Sequence, residues 1–312
     1  MVNFIIGVDG GGTKTLGAIS REDGAVIAQY EVGSTNHHSN PIDVVRANLG
    51  DLISNLLQAA GARADDVRAI CLGMAGVDRP EDRPLIQGLV GEFLPNAQCS
   101  PVNDGIIALM GGALKPFGII VISGTGSIAF GINRAGERAR AGGWGHILGD
   151  EGSGYQVALR ALRAVCRSHD GRMPPTALSR IILDHFGFDR AEQLLGWTKE
   201  IQGAKDKIAA LSRLVHLAHE SGDGTAATIL NEEAEELAIA ASAVAKKLFS
   251  RDEKDWEIIV AGGNLRKNES FFQLFQKAIA RRLAGISVVQ PRREPVEGAV
   301  LYAIDQMRKE GN

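Results

Sequence analysis

The sequence predicts an α/β protein built from two halves of similar design. Three observations carry this. The chain has 312 residues, and at ~150 residues per domain that length suggests about two domains. An apolar strand, a Gly/Thr turn, a second strand, another turn and a third strand open the chain at Asn3, and the same order restarts at Gly118. Each opening is then followed by strands linked through helices, the pattern of an α/β domain. With 45% hydrophobic and 23% charged residues, the composition is globular, which excludes disordered, collagen-like and disulfide-scaffold classes.

The first strand is the apolar run from Asn3 to Asp9. The glycine turn Gly10-Gly11-Gly12-Thr13-Lys14-Thr15 leads into a strand over Leu16 to Ser20, and Glu22-Asp23-Gly24 turns into a third over Ala25 to Val32. This is an antiparallel meander. Val44, Val45, Leu49, Leu52, Ile53, Leu56 and Leu57 recur at helical spacing, so 42–60 is a helix. Val67 to Met74 is a buried strand, Arg83 to Phe93 a helix, Val102 the end of a short strand, and 105–114 a helix. In the second half, Gly118 to Ser123 and Ile128 to Asn133 are strands around Gly124-Thr125-Gly126-Ser127. Helices dominate 153–249, with breaks near Arg172–Pro175 and Ser221–Gly224. Trp256 to Ala261 is a strand, followed by a helix at 269–284, a strand at 286–290 and a closing helix at 296–309. No low-complexity linker separates the halves. The expected boundary lies at the short Lys115-Pro116-Phe117 segment, giving domains 1–115 and 116–312, with a hinge between them and a cleft as the natural ligand site.

The 34 basic and 37 acidic residues leave a net charge of -3, which gives no electrostatic footprint for nucleic acid or an anionic membrane. Cys71, Cys99 and Cys166 are far apart, and without a CxxC pair they read as small buried hydrophobes in a reducing compartment. No basic segment followed by a long apolar run marks a signal peptide, and no apolar run approaches ~20 residues. A soluble, cytoplasmic protein is expected.

Glycine, at 38 residues, is the informative excess, because it permits positive φ and close backbone approach to a ligand. Asp9-Gly10-Gly11-Gly12-Thr13-Lys14-Thr15 is not a P-loop: Thr13 stands where that motif needs glycine, and a strand follows instead of a helix. What remains is a hairpin whose amides and Thr13 hydroxyl suit phosphate oxygens. Asp9 beside it suits a hydrated Mg²⁺. Ser123-Gly124-Thr125-Gly126-Ser127 is its counterpart, and the two turns together suit a polyphosphate. Asp104 follows a strand and opens a helix, where it reads equally as an N-cap or as a base for a substrate hydroxyl. The run from Gly142 to Gly154 is dense in glycine and carries Trp144, His146, Asp150 and Glu151, the makings of a polar seat with a stacking aromatic; His146 reads as a satisfied loop residue. His37 and His38 are adjacent, so their rings diverge and make a poor metal site. Their loop, Ser34 to His38, is either solvated or a sugar contact. Val260-Ala261-Gly262-Gly263-Asn264 is either an ordinary strand-to-helix turn or a place for a flat ring such as adenine.

Taken together and in this order, the motifs DGGGTKT, STN, VND, ISGTGS, GGWGHILGDEGSGY and VAGGN resemble the N-acetylglucosamine kinase branch of the BadF/BadG-type ATPases, in the actin–hexokinase–Hsp70 superfamily. The likeness spans essentially the whole chain, and the GGWGH…GDEGS string is its specific part. It implies two ribonuclease-H-like domains around a cleft and ATP-dependent phosphorylation of an amino sugar at its 6-hydroxyl, with Mg²⁺. It implies nucleotide contacts from Gly11, Gly12, Thr13, Lys14, Gly124, Thr125, Gly126, Gly262, Gly263 and Asn264. Sugar contacts would come from Asn36, Asp104, Gly143, Trp144, Gly145 and Asp150, with Asp104 as the base and Asp9 on the metal through water. The Gly76-Val77-Asp78-Arg79-Pro80-Glu81-Asp82 segment is similar to that of bacterial kinases that also accept N-acetylmuramic acid. A homodimer is expected. The stretch 170–225 carries no usable motif. The expected reaction is N-acetylglucosamine phosphorylation, with glucosamine as an alternative acceptor. An ATP-driven reductase activator is the reading from another class, and a sugar-sensing regulator a third. The activator needs cluster-ligating cysteines, and Gly142 to Tyr155 contains none.

Overall fold

The computed structural model describes residues 3–74, 77, 81–201 and 204–310. It contains two five-stranded sheets, each in its own compact unit.

In the first unit, β1 (Phe4–Gly10), β2 (Lys14–Arg21), β3 (Val26–Gly33), β4 (Val67–Met74) and β5 (Gln98–Asn103) stand in the order β3-β2-β1-β4-β5. β1 to β3 form the expected antiparallel meander, while β4 and β5 run parallel to β1. Successive side chains of a strand point to opposite faces, and β1 shows the consequence. Phe4, Ile6 and Val8 join Val45, Leu49, Leu52 and Leu56 of α1 (Ile42–Ala60) in one core. Ile5, on the other face, joins Ile107 of α3 (Asp104–Ala113) and Val296, Ala299 and Val300 of α12 (Pro295–Glu310). A strand buried on both faces reads as a continuous apolar run, as FIIGV does. Gly7 lies on the α12 face, where a Cβ would sit 2.5 Å from Val300 N and 2.6 Å from Val296 O. Gly298 lets α12 meet α3 just as closely, with a would-be Cβ 2.0 Å from Ile107 O.

This packing corrects the expected domain boundary. The first unit is Met1–Gly118 with Arg134–Gly136 and Pro291–Asn312, so the last helix belongs to the first half. The reason is the close approach that Gly7 of β1, Gly111 of α3 and Gly298 of α12 itself permit, which the helix's apolar periodicity does not reveal.

The second unit holds β6 (Gly118–Ser123), β7 (Ser127–Ile132), β8 (Arg138–Gly142), β9 (Glu257–Ala261) and β10 (Ser287–Val289) in the order β10-β9-β6-β7-β8. Counted from its own first strand, this repeats the first sheet, so the duplication read from the sequence holds at the level of topology. α4 (Gly154–His169), α5 (Ala177–Phe186), α6 (Gln193–Glu200), α7 (Lys205–Ala209), α8 (Ser212–Glu220) and the long α9 (Gly224–Leu248) fill the helical stretch, followed by α10 (Gly263–Arg266) and α11 (Glu269–Arg282). Both expected breaks are present, and Asp223 caps α9 through Ala226 N. No helix among the described residues is long and apolar enough to cross a membrane.

Candidate active site

In the first unit, parallel pairing aligns Asp9 with Gly73, and Gly73 with Val102. The carboxyl ends of β1, β4 and β5 therefore finish at one edge, the usual ligand edge of an open α/β sheet. Asp9 and Asp104 share that edge. The carboxyl of Asp9 is pushed up to about 6, chiefly by burial and then by the negative charges of Asp104 and Glu294, with Lys14 opposing. Asp104 is exposed, and the helix cap is its neighbour: Asn103 Oδ1 accepts from Gly105 N at 2.9 Å. Of the two readings open for Asp104, the capping role thus falls to Asn103, although Asp104 Oδ1 also accepts from Gly105 N.

Between β1 and β2 the turn closes through Gly11 N donating to Lys14 O at 3.0 Å. None of its glycines has positive φ. Gly10 is required by close approach instead, since a Cβ would lie 2.9 Å from Thr35 Oγ1, whereas Gly12 faces open space. Thr13 is exposed. Lys14 turns to Glu31 on β3, 2.6 Å from its carboxylate. The Ser34–Asn40 loop is stitched to this turn. Ser34 Oγ donates to Gly11 O at 3.0 Å, and the buried hydroxyls of Thr15 and Thr35 meet at 2.9 Å. Asn36 is half-buried, its Oδ1 accepting from His38 N. These supports escaped the sequence reading, which had no cue that STN folds back onto the glycine turn.

His37 and His38 do not diverge. Their ring centroids lie 4.1 Å apart, and both Nε2 atoms approach Asp82 Oδ1, at 2.8 and 3.3 Å. The loop winds as a helical turn, with Asn40 N donating to Asn36 O, so adjacent side chains are separated by about 100° rather than alternating. The result is a hydrogen-bonded clasp from the loop to α2 (Asp82–Gly91). Gly76, Asp78, Arg79 and Pro80 of the segment before it lie outside the described residues.

In the second unit, the turn Gly124–Gly126 sits between two cavities. One, of about 590 Å³, is lined by Gly124, Thr125, Ser212, Arg213, Gly263 and Lys267, among others. The other, of about 430 Å³, is lined by Thr125, Gly126, Gly143, Gly145, Asp150 and Lys205, among others. Three close contacts build the partition. Gly262 has φ +80°, and a Cβ there would lie 2.3 Å from Ser123 O. Gly154 N donates to Gly124 O at 2.8 Å, and Gly143 N to Ser127 O at 3.1 Å. Asp150 is buried and, unusually for a residue with a Cβ, sits at φ +62°, a conformation costing about 1 kcal/mol or more. Ser127 N donates to its Oδ1 at 3.3 Å.

Trp144 stands outside this cavity, 64% exposed, with the Arg140 guanidinium 4.8 Å from its ring. It is not core, and the flanking Gly143 and Gly145 line the cavity. His146 packs edge-on against Tyr155, their ring centroids 5.0 Å apart. The Asn264 amide lines the larger cavity but is bonded at both ends, to His216 and to Ser123. The wall of the larger cavity that no motif marked comes from α7 and α8, inside the stretch without a usable signature.

The chain matches the BadF/BadG/BcrA/BcrD ATPase family over residues 6–303. It belongs to that family. It is 37% identical over 302 residues to an N-acetylmuramic acid/N-acetylglucosamine kinase from Clostridium acetobutylicum, covering 97% of this chain and 98% of that one. It is 33% identical over 315 residues to an N-acetyl-D-glucosamine kinase from Dictyostelium discoideum, covering 98% and 99%. Among solved structures, a ROK hexokinase from Thermus thermophilus shares its fold, with a TM-score of 0.56 at 18% identity over 98% of this chain and 99% of that one. Each unit of this BadF/BadG-family chain is thus an α/β domain of the ribonuclease-H-like, actin/hexokinase type. The cysteines offer no built cluster site. Cys71 is buried on β4 and Cys99 half-buried on β5, both thiols raised by burial, Cys99 to about 12, whereas Cys166 is exposed on α4. The expectation that all three are buried fails for Cys166, which lies on the outer face of its helix.

Proposed function

We propose that this protein is an ATP-dependent kinase that phosphorylates the 6-hydroxyl of N-acetylglucosamine, and that N-acetylmuramic acid is a second acceptor. The observation that carries the reading is the pair of cavities meeting at Gly124–Thr125. In this reading the larger cavity takes the nucleoside and the smaller the sugar ring, so Thr125, which lines both, stands where a transferable phosphate would lie. The two kinases at 37% and 33% identity support the acceptor class.

In this reading Thr125 and the amide of Gly126 hold phosphate oxygens, together with Gly11, Gly12 and Thr13 of the first turn, while the Gly124 amide closes its own turn on Gly126 O at 2.9 Å. Gly262 and Gly263 give the nucleoside close access to the backbone. Lys14 keeps its ion pair with Glu31 and adds positive charge near the turn. Lys205, which no motif marked, offers a cation at the acceptor cavity. The Gly143 and Gly145 backbone, Asp150 and Asn36 hold the sugar. Asp104 accepts the proton of the 6-hydroxyl as its oxygen bonds to the γ-phosphorus, the bond to the β-phosphate oxygen breaks, and ADP leaves. Such transfer needs mainly positioning and charge neutralisation.

Asp9 fits the Mg²⁺ role: its carboxyl is crowded by Asp104 and Glu294, a repulsion that a hydrated cation relieves. When bound, Mg²⁺ would neutralise charge on the transferring phosphate. Cytoplasmic location and a homodimer belong to the same proposal. The test is incubation with ATP, Mg²⁺ and N-acetylglucosamine, followed by phosphorus and proton NMR. The 6-phosphate is the expected product; ADP release without a sugar phosphate would refute the reading.

A further inference from the structure

The mechanism leaves unused a buried carboxylate, Glu233 on α9, and a buried imidazole, His216 on α8. Both belong to one unbroken chain of hydrogen bonds. His216 Nε2 bonds Asn264 Oδ1 at 2.7 Å, Asn264 Nδ2 donates to Ser123 Oγ at 3.1 Å, and Ser123 Oγ donates to Gly152 O at 2.6 Å. Gly152 N donates to Glu233 Oε2 at 2.5 Å, and Arg160 Nη1 to Glu233 Oε1 at 3.0 Å. The side-chain members are 3% (His216), 6% (Asn264), 0% (Ser123) and 4% (Glu233) exposed.

The direction of every bond is fixed by one of them. The Gly152 carbonyl can only accept, so Ser123 Oγ must donate to it and must receive from the Asn264 amide nitrogen. Asn264 Oδ1 therefore faces His216, which must carry its proton on Nε2. Burial holds the His216 imidazole toward its neutral form, which leaves Nδ1 without a proton. Nδ1 is then an acceptor, and it is buried without a partner. A chain with one consistent set of proton positions behaves as a unit.

One member lines a cavity and another lies close in sequence to the wall of the second. Asn264 lines the larger one. Gly152 is two residues beyond Asp150, which lines the smaller. Gly152 is gripped on both peptide planes, its N–H by Glu233 and its carbonyl by Ser123. Only glycine suits the position: φ is +80°, and a Cβ would lie 2.2 Å from Leu237 Cγ. Asn264 is thus bonded through Ser123 to Gly152, two residues from Asp150.

We propose that His216, Asn264, Ser123 and Glu233 form a positioning relay that couples nucleotide binding in one cavity to sugar binding in the other. The relay rests on the kinase reading above. Coupling between sites is reciprocal and typically amounts to 5- to 150-fold in affinity, so AMPPNP–Mg²⁺ should tighten N-acetylglucosamine binding at least about fivefold, and the converse. None of the four residues needs to touch either ligand through its side chain.

The experiment is calorimetric titration of N-acetylglucosamine with and without saturating AMPPNP–Mg²⁺, for wild type, Ser123→Ala, Glu233→Ala and Glu233→Gln. Thermal melts accompany each variant. Ser123→Ala and Glu233→Ala should bind each ligand alone but with coupling below about twofold. Glu233→Gln keeps an acceptor for Gly152 N–H, and Arg160 keeps its other partner, Glu232, so coupling should return. Ser123→Ala removes only a hydroxyl and keeps the test decisive if Glu233→Ala does not fold. If wild type binds both ligands without coupling, or Ser123→Ala couples as wild type does, the relay is refuted while the kinase reading stands. If wild type binds neither ligand, both fall together.

Discussion

Asn103 and Asp104 are neighbours with separable jobs, and exchanging them one at a time should split stability from turnover. Asn103 caps α3 with its side-chain oxygen on Gly105 N. Asn103→Ala removes that acceptor from a site where the side chain is 9% exposed, a loss of about 1 kcal/mol, or about 2–4 °C in Tm for a domain of moderate size. Asp104→Asn keeps a side-chain oxygen for the same N–H and changes an exposed position, so stability should move by no more than about 0.5 kcal/mol. Its proton acceptor is gone, however, and general-base catalysis is typically worth about 10²–10⁴-fold. Coupled-enzyme kinetics for kcat and differential scanning fluorimetry for Tm give the two readouts. Asp104→Asn should fall at least about 100-fold in kcat with a nearly unchanged melt, and Asn103→Ala should show the reverse. If Asp104→Asn keeps kcat within tenfold of wild type, or loses less activity than Asn103→Ala, Asp104 is not the base.

Asp9, with a folded pKa of about 6 against an ordinary 3.8, holds its proton more tightly folded than unfolded. Its contribution to stability is therefore present at low pH and lost as pH rises from about 4 through 6, by at most about 3 kcal/mol. Urea melts in chelator should show that part of the pH slope vanish in Asp9→Asn; an unchanged slope contradicts the assignment. A Cβ on Gly298 would lie 2.0 Å from Ile107 O and 2.5 Å from Gly111 N, both backbone atoms. Gly298→Ala should therefore destabilise by about 1–3 kcal/mol beyond the roughly 1 kcal/mol that alanine gains as a helix former, and equal or higher stability in denaturant melts would refute the close packing of α12. Lys205 lines the acceptor cavity, and a hydrogen bond to a charged group is worth about 1.5–3 kcal/mol, so Lys205→Ala should lower kcat/KM about tenfold or more with the melt unchanged; full activity would remove it from the site.

What could be read from the sequence was what short-range chemistry dictates. The FIIGV and GIIVIS runs, the two Gly/Thr turns and the helical periodicity of 42–60 each carry their signal within a few residues, and their recurrence exposed the duplicated topology. Contacts distant in sequence were not legible. Gly7, Gly73 and Gly298 read as ordinary glycines, yet they are where α12 and α3 press against backbone, and so the last helix was assigned to the wrong half. The paired histidines were misjudged because the turn that aligns their rings depends on hydrogen bonds back to Asn36. The residues of α7 and α8 beside Thr125 carry no motif, because a cavity wall made of Ala209, Ser212 and Arg213 asks only for size and helix, which many sequences supply. Trp144 had a function-like neighbourhood but an exposed position.

The central claim is that the acceptor is an N-acetylated hexosamine. The cavity proposed for the acceptor presents the backbone of Gly143 and Gly145 beside the buried carboxylate of Asp150. An acetamide can bond such groups through both its N–H and its carbonyl, and a sugar without it leaves them unpaired. The most direct measurement is kcat/KM for N-acetylglucosamine, N-acetylmuramic acid, glucosamine and glucose under one set of conditions with ATP and Mg²⁺. N-acetylglucosamine should be the best acceptor and glucose a poor one. A tenfold advantage for glucose or glucosamine over N-acetylglucosamine would contradict the account.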